Sequence, residues 1–240
     1  MRITFIGLLL FSTLFAKAQD YPEPSKESVE YTEQRSKITT PPYGLAKVKA
    51  MIAKVKADDN DNMKLSNKDY NSLSLREKFT YNMIHAEEYS QNCDVPTPVA
   101  EAQKQIFGQV PSSFNEYTWS DRQLNFFKDN KDSVIAIIKE SVNRSKRVGV
   151  NYKEVIVLMN ATEMIPFLEE VYQRDKKDHD ILTVFLLLMK NNNYQPFLTA
   201  SSYPKLYGEN VDYYSSHIAY NSANEQLILQ RVNDFYKNRK

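Results

Sequence analysis

Cysteine is almost missing from this 240-residue chain: Cys93 stands alone, so no internal disulfide can form and an apolar core must supply the stability. Glycine is nearly as scarce. Five glycines, one of them within the first 18 residues, disfavour an all-β sandwich, whose many tight turns need them. Neither sign of charge is in excess, with 31 Lys and Arg against 30 Asp and Glu. That balance does not steer the chain toward nucleic acid. The one basic patch, Lys47, Lys49, Lys54 and Lys56, reads as the solvated face of a helix. Also missing are an HExxH pair, a two-cysteine, two-histidine pattern, a phosphate-cradling glycine loop and a Gly-x-Ser-x-Gly elbow.

Long apolar runs are lacking too. In MRITFIGLLLFSTLFAKA, Arg2 precedes an apolar stretch over residues 5–15, and Ala16-Lys17-Ala18 forms a small-x-small site. This is the pattern of a secretory signal peptide, residues 1–18, with cleavage expected after Ala18. The stretch is about half the roughly 20 residues a bilayer-spanning helix needs, so stable membrane insertion is not expected. Cleavage would leave a net charge of about −1 and a secreted or periplasmic protein. Residues 19–42 are polar and carry Pro22, Pro24, Pro41 and Pro42, so they are expected to form an extended or disordered tail. Residues 43–240 then form a single all-α domain.

Helical periodicity fills that domain. Leu45, Val48, Met51, Ile52 and Val55 form one stripe with lysines opposite. Ser74 followed by Glu77 is a capping box, and Leu75, Phe79, Met83 and Ala86 continue as an apolar face on a helix that carries His85 and cannot continue through Pro96. Similar start signals stand at Ser120 with Gln123, Asn151 with Glu154, and Ser222 with Glu225. Val134, Ile135, Ile138 and Val142 are in helical register, with Gly149 expected as a left-handed C-terminal cap and Gly108 and Gly208 in the same role. The nearly all-apolar residues 181–189 predict a buried helix. A last helix over residues 223–237 offers Ile228, Leu229, Val232, Phe235 and Tyr236 to the core.

Two segments look alike at an offset of 30: VIVLMNATEMIPFL, residues 155–168, over FLLLMKNNNYQPFL, residues 185–198. Leu158 matches Leu188, Met159 matches Met189, and Pro166-Phe167-Leu168 matches Pro196-Phe197-Leu198. The unit reads as helix, short polar turn, Pro near the start of a second helix, then a charged loop, QRDKKDHD. Over residues 132–200 this resembles the HEAT-like helical repeats of the short, roughly 30-residue type. The resemblance implies a right-handed α-solenoid-like array of antiparallel helix pairs used as a binding scaffold for a protein or peptide, with no catalytic residues to carry over.

Candidate chemistry is sparse. His85-x-x-Glu88 would set two metal ligands on adjacent turns of one helix, but a site needs three or four, and His179 and His217 lie in other segments. No metal or other cofactor is therefore expected, and an enzyme or small-ligand site using His85 and Glu88 is the competing reading. Cys93 precedes Asp94-Val95-Pro96, which would not lower its pKa, so it reads as an inert thiol. The adjacent pairs Glu87-Glu88 and Glu169-Glu170 would point about 100° apart on a helix, which does not suit an acid–base pair. Tyr194, Tyr203, Tyr207, Tyr213, Tyr214 and Tyr220 crowd a Pro/Ser/Asn-rich stretch. They are the candidate contact surface for a protein or, if exposed side by side, for a glycan; the alternative is that they pack the end of the fold with their hydroxyls at the water boundary.

Overall fold

The computed structural model describes residues 23–91, 99–213 and 215–239, so the expected signal peptide and its cleavage site, Cys93, Pro96 and Tyr214 lie outside it. The fold is mostly helical. Helices α1 (Lys26–Ser36), α2 (Leu45–Ile52), α3 (Asn67–Asn71) and α4 (Leu75–Ile84) come first, followed by the short strands β1 (Glu88–Tyr89), β2 (Gln105–Phe107) and β3 (Tyr117–Thr118). The main helical body holds α5 (Asp121–Asp129), α6 (Lys131–Ser145), α7 (Val150–Leu158), α8 (Ile165–Asp175) and α9 (Asp180–Asn191). The short helices α10 (Gln195–Leu198) and α11 (Tyr203–Tyr207), strand β4 (His217–Ala219) and the long α12 (Ser222–Asn238) complete the chain. β1 pairs antiparallel with β3, and β2 with β4 in the register Ile106 to Ile218.

The expected buried helix is α9. Every residue from Asp180 to Met189 is buried, and α7, α8, α10, α12 and β2 all pack on it. Around it the main core gathers Phe79, Phe127, Ile138, Ile156, Tyr172 and Val232, while a smaller core of Val48, Leu65, Tyr70, Leu73 and Tyr81 lies under α2 to α4. In α12, Ile228, Val232 and Phe235 face inward as the periodicity predicts.

The strings at offset 30 take like local geometry with a local slip. Both α7 and α9 end on a left-handed Asn, Asn160 at φ 46° and Asn193 at φ 52°. In both, the next N–H reaches back five residues, Ala161 to Ile156 and Tyr194 to Met189. Those caps are 33 residues apart rather than 30; a 3₁₀ turn, Thr162–Met164, fills the difference before α8. Burial differs as well: Leu188 is fully buried whereas Leu158 is 37% exposed.

Several local expectations are corrected. Residues 26–36 are helical rather than disordered: Ser25 caps the helix by accepting from Ser28 N–H, Glu27 and Arg35 suit its two ends, and Ser28 Oγ donates to the Val99 carbonyl at 2.8 Å. α4 stops at Ile84, well before Pro96, so His85 is its extended C-cap and Glu88 belongs to β1. Leu75 points to solvent. Gly149 is not a left-handed cap; it precedes α7 with φ −66°, and a side chain there would run into the backbone of Thr39. Lys146 takes the left-handed position instead. Gly108 and Gly208 also lack positive φ. Asn151 and Glu154 form no capping box: Asn151 is buried and bridges the Thr39 and Met83 carbonyls at 2.9 and 2.8 Å. At α12 the cap is Asn221 rather than Ser222. The boxes at Ser74 and Ser120 do form.

Glu87, discounted above as half of an unhelpful pair, is a fully buried carboxylate that knits the two cores. Tyr81 Oη donates to it at 2.6 Å, Ser120 Oγ at 2.5 Å, and the Arg122 guanidinium grips both its oxygens. Arg122 also donates to the Leu65 carbonyl and lies over the Tyr70 ring. Burial opposes ionisation of Glu87, but these donors outweigh it and hold its carboxyl below the ordinary value. Removing the carboxylate leaves Arg122 unpaired, so Glu87→Ala should lower unfolding free energy by about 3–5 kcal/mol in urea titration; a loss under about 1 kcal/mol would contradict this role.

Glu154 behaves oppositely. It is half-buried beside Ser113, whose N–H donates to it at 2.9 Å, with no cation in partnership, and desolvation pushes its carboxyl from 4.5 up to about 7. A raised carboxyl binds its proton more tightly when folded, so its stabilising contribution is complete below pH 4.5 and is lost as pH rises through 7. Glu154→Gln keeps the neutral form. Melting followed from pH 4.5 to 8 should therefore show wild type losing stability relative to this variant by up to about 3 kcal/mol; parallel curves would refute the shift.

Candidate functional site

The turn that joins α6 to α7 and the turn that joins α8 to α9 are built alike. Each opens on a left-handed lysine, Lys146 at φ 57° and Lys176 at φ 55°, whose N–H returns to the helix at 2.8 Å, to Val142 and Tyr172 respectively. A second base follows each, Arg147 and Lys177. Left-handed lysine is strained by roughly 1 kcal/mol, and a cation at a helix C-terminus offsets part of that. Each turn also sets the negative end of one helix beside the positive end of the next, so the side chains decide the local field.

α1 lies across from these turns, and between them opens a cavity of about 1120 Å³. Six basic and four acidic side chains line it. All four acids are engaged: Glu27 by Gln103, Glu30 by Lys26, Asp175 by the Lys177 N–H and Asp178 by Lys153. Among the bases, Arg35 and Lys176 pair with Asp180 and Glu225, and Arg147 donates to the Gln34 and Ile38 carbonyls. Lys146, Arg174 and Lys177 are exposed and make no ion pair among the described residues.

Beneath the cavity lies a buried charge chain. Arg35 reaches Asp180 at 2.9 Å, Asp180 lies 3.7 Å from Lys153, and Lys153 meets Asp178 at 2.5 Å. The Arg35 guanidinium also sits 3.7 Å over the Phe107 ring, and it donates to the Gln109 carbonyl. Two cations and two anions balance, which makes burial of both Lys153 and Asp180 at 1% side-chain exposure tolerable. This chain ties α1 to α7 and α9 and sets the distance between the cavity walls.

His179 forms the aromatic side. It stacks on Tyr220 with ring centroids 3.7 Å apart and meets Tyr31 at 5.4 Å. Its Nδ1 lies 3.2 Å from the Gln105 carbonyl, which can only accept, so Nδ1 carries the proton. Burial lowers the imidazole pKa and keeps the ring neutral at pH 7. Two cavity-lining atoms are buried with hydrogen-bonding capacity unused among the described residues: Gln103 Oε1, which has no donor, and Tyr31 Oη, which faces the His179 backbone N–H but has no acceptor for its O–H.

No protein-family model, curated protein or solved structure matches this chain. The site therefore has to be read from its own geometry.

The residues singled out from sequence are dispersed. Tyr220 lines the cavity. Tyr203 and Tyr207 pack on Phe197 and on each other, with Tyr207 Oη donating to the Gly108 carbonyl at 2.9 Å, and Tyr194 meets the Phe235 ring at 5.4 Å. Tyr213 is 59% exposed. The five described tyrosines thus form no exposed platform. His85 and Glu88 are also apart in role: the His85 ring meets the Met63 carbonyl while Glu88 pairs with Lys64 at the surface. His217 is exposed on β4. Among the described residues no three His, Cys, Asp or Glu side chains are grouped to hold a metal ion.

Sequence reasoning passed over Tyr31, Arg35 and Lys153 because nothing local marks them. The basic turns carried a usable signal, since Ser145-Lys146-Arg147 and Asp175-Lys176-Lys177 also stand 30 apart. Asp180→Asn should leave Arg35 half-paired and loosen α1. Amide hydrogen exchange over residues 26–36 is expected to accelerate at least about tenfold while that of α4 stays unchanged; equal protection in both proteins would contradict the anchoring role.

Proposed function

We propose that this chain is a secreted or periplasmic binding protein that holds a protein or peptide partner in the cavity between α1 and the α6–α7 and α8–α9 turns, and that it is not an enzyme. The observation that carries this reading is the cavity itself, with two buried polar atoms of unused hydrogen-bonding capacity and, on its lining, three exposed cations free of ion pairs, Lys146, Arg174 and Lys177. The titratable groups beneath it are already engaged with one another, which suits a fixed recognition surface better than proton transfer.

In this reading α6 to α10 are HEAT-like units in a right-handed α-solenoid-like array, and their inter-helix turns form the contact surface, as turns at one edge of stacked helix pairs commonly do. The like caps at Lys146 and Lys176, and at Asn160 and Asn193, support that assignment. The contact surface moves from the tyrosines over residues 194–220 to the basic turns, with Tyr220 common to both. The signal-peptide pattern of residues 1–18 supports export across a membrane, and no helix among the described residues is long and apolar enough to cross one.

Gln34 is exposed on α1 at the cavity wall, so Gln34→Trp should obstruct the opening without disturbing the core. On an array of random decapeptides, wild type is expected to retain a defined subset that Gln34→Trp binds at least about tenfold less well. If no peptide binds, or if every bound peptide is indifferent to Gln34→Trp, the cavity is not a peptide site.

A further inference from the structure

The cavity's chemistry narrows its occupant, an inference that rests on the peptide-binding reading above. We infer that the site recognises an acidic peptide segment, its carboxylates met by Lys146, Arg174 and Lys177 and its polar groups by Tyr31 Oη and Gln103 Oε1.

The charge balance points this way first. Six cations line the cavity against four carboxylates, and Lys146, Arg174 and Lys177 make no ion pair among the described residues, so the lining is net positive although the whole chain is nearly neutral. The orphaned atoms point the same way. Tyr31 Oη is a phenol kept protonated by burial, and a buried O–H without an acceptor costs about 1–3 kcal/mol unless a ligand supplies one. A carboxylate oxygen is the strongest acceptor a peptide side chain offers. Gln103 Oε1 needs a donor, and its own NH₂ is already turned toward Glu101 and Glu27. A peptide backbone N–H is such a donor. One ligand that carries both carboxylates and N–H groups satisfies both orphans at once.

The arrangement disfavours a compact phosphate. Lys146 belongs to the α6–α7 turn, whereas Arg174 and Lys177 belong to the end of α8 and the α8–α9 turn, so the cations come from two separate segments of the lining. Charges spaced along a strand fit such a lining better than a single multivalent group. The His179–Tyr220 stack supplies an apolar face for the aliphatic stems between carboxylates.

The test is fluorescence anisotropy with the chain spanning residues 19–240 and a fluorescein-labelled hexaglutamate peptide. The matched hexaglutamine peptide should bind at least about tenfold more weakly, and raising NaCl from about 50 to about 300 mM should weaken hexaglutamate severalfold. The triple variant Lys146→Gln, Arg174→Gln, Lys177→Gln should lose at least about tenfold in affinity while remaining folded, its melting temperature lowered by only a few degrees through loss of charge at two helix C-termini, because all three side chains are exposed. Tyr31→Phe removes only the orphaned hydroxyl and should cost about three- to tenfold without lowering stability. Equal binding of hexaglutamate and hexaglutamine, or a triple variant that binds like wild type, overturns the proposal. Tighter binding of an oligogalacturonate than of hexaglutamate overturns it in favour of an acidic glycan. Peptides that are sensitive to Gln34→Trp but not enriched in Asp or Glu would sink this inference and leave the peptide-binding reading standing; no sensitive peptide at all would sink both.

Discussion

An apolar segment without a polar face has one stable place in a water-soluble chain, the middle. Residues 181–189 are such a segment, and the fold is arranged to surround it: α7, α8, α10 and α12 pack around α9 and the β2–β4 ribbon closes over its start. Each large side chain on it contributes about 1.5–3 kcal/mol by leaving water. With no disulfide among the described residues, this burial holds the remaining helices in register. Asp180 is the exception in the helix, a carboxylate at its first turn where the backbone N–H groups are unsatisfied. Carried inward with the helix, it requires cations at the same depth, and Arg35 and Lys153 supply them. The cavity floor is thus a consequence of where the most apolar helix has to begin.

Two desolvated carboxylates elsewhere, Glu87 fully buried and Glu154 half-buried, show how little their sequence neighbours reveal. Glu87 is surrounded by donors contributed from residues 81, 120 and 122, and it stays ionised. Glu154 has Ser113 alone and tends to stay protonated. In sequence both are ordinary glutamates in polar contexts. Ser120 and Arg122 for Glu87 and Ser113 for Glu154, each brought in from more than 30 residues away, decide their states together with the nearby Tyr81, so the chain's response to pH depends on topology more than on composition.

The helical body was legible because periodicity and caps are local. Ser74 with Glu77, the stripe on α6 and the uniform run in α9 each rest on residues within a few positions of one another. α1 was not legible, since its residues bury little apolar surface; Ser28 and Arg35 hold it through partners more than 70 residues away. Asn151 failed as a start signal for the same reason: its amide serves the chain at Thr39 and Met83 rather than its own helix. Of the cavity, the sequence showed Tyr220 and the charged loop before α9, while the facing wall and the floor come together only in the folded chain.

The slip between the two like segments has a geometric consequence. α7 has 9 residues and α9 has 12, and three additional residues advance a helix by about 300° and about 4.5 Å. The chain therefore leaves α9 turned by about 60° from the direction in which it leaves α7. Where α8 is one helix of 11 residues, residues 195–207 form two short helices. A difference of less than one helical turn thus redirects the path, and it brings the polypeptide back along the body so that β4 can pair with β2 and α12 can cover α9.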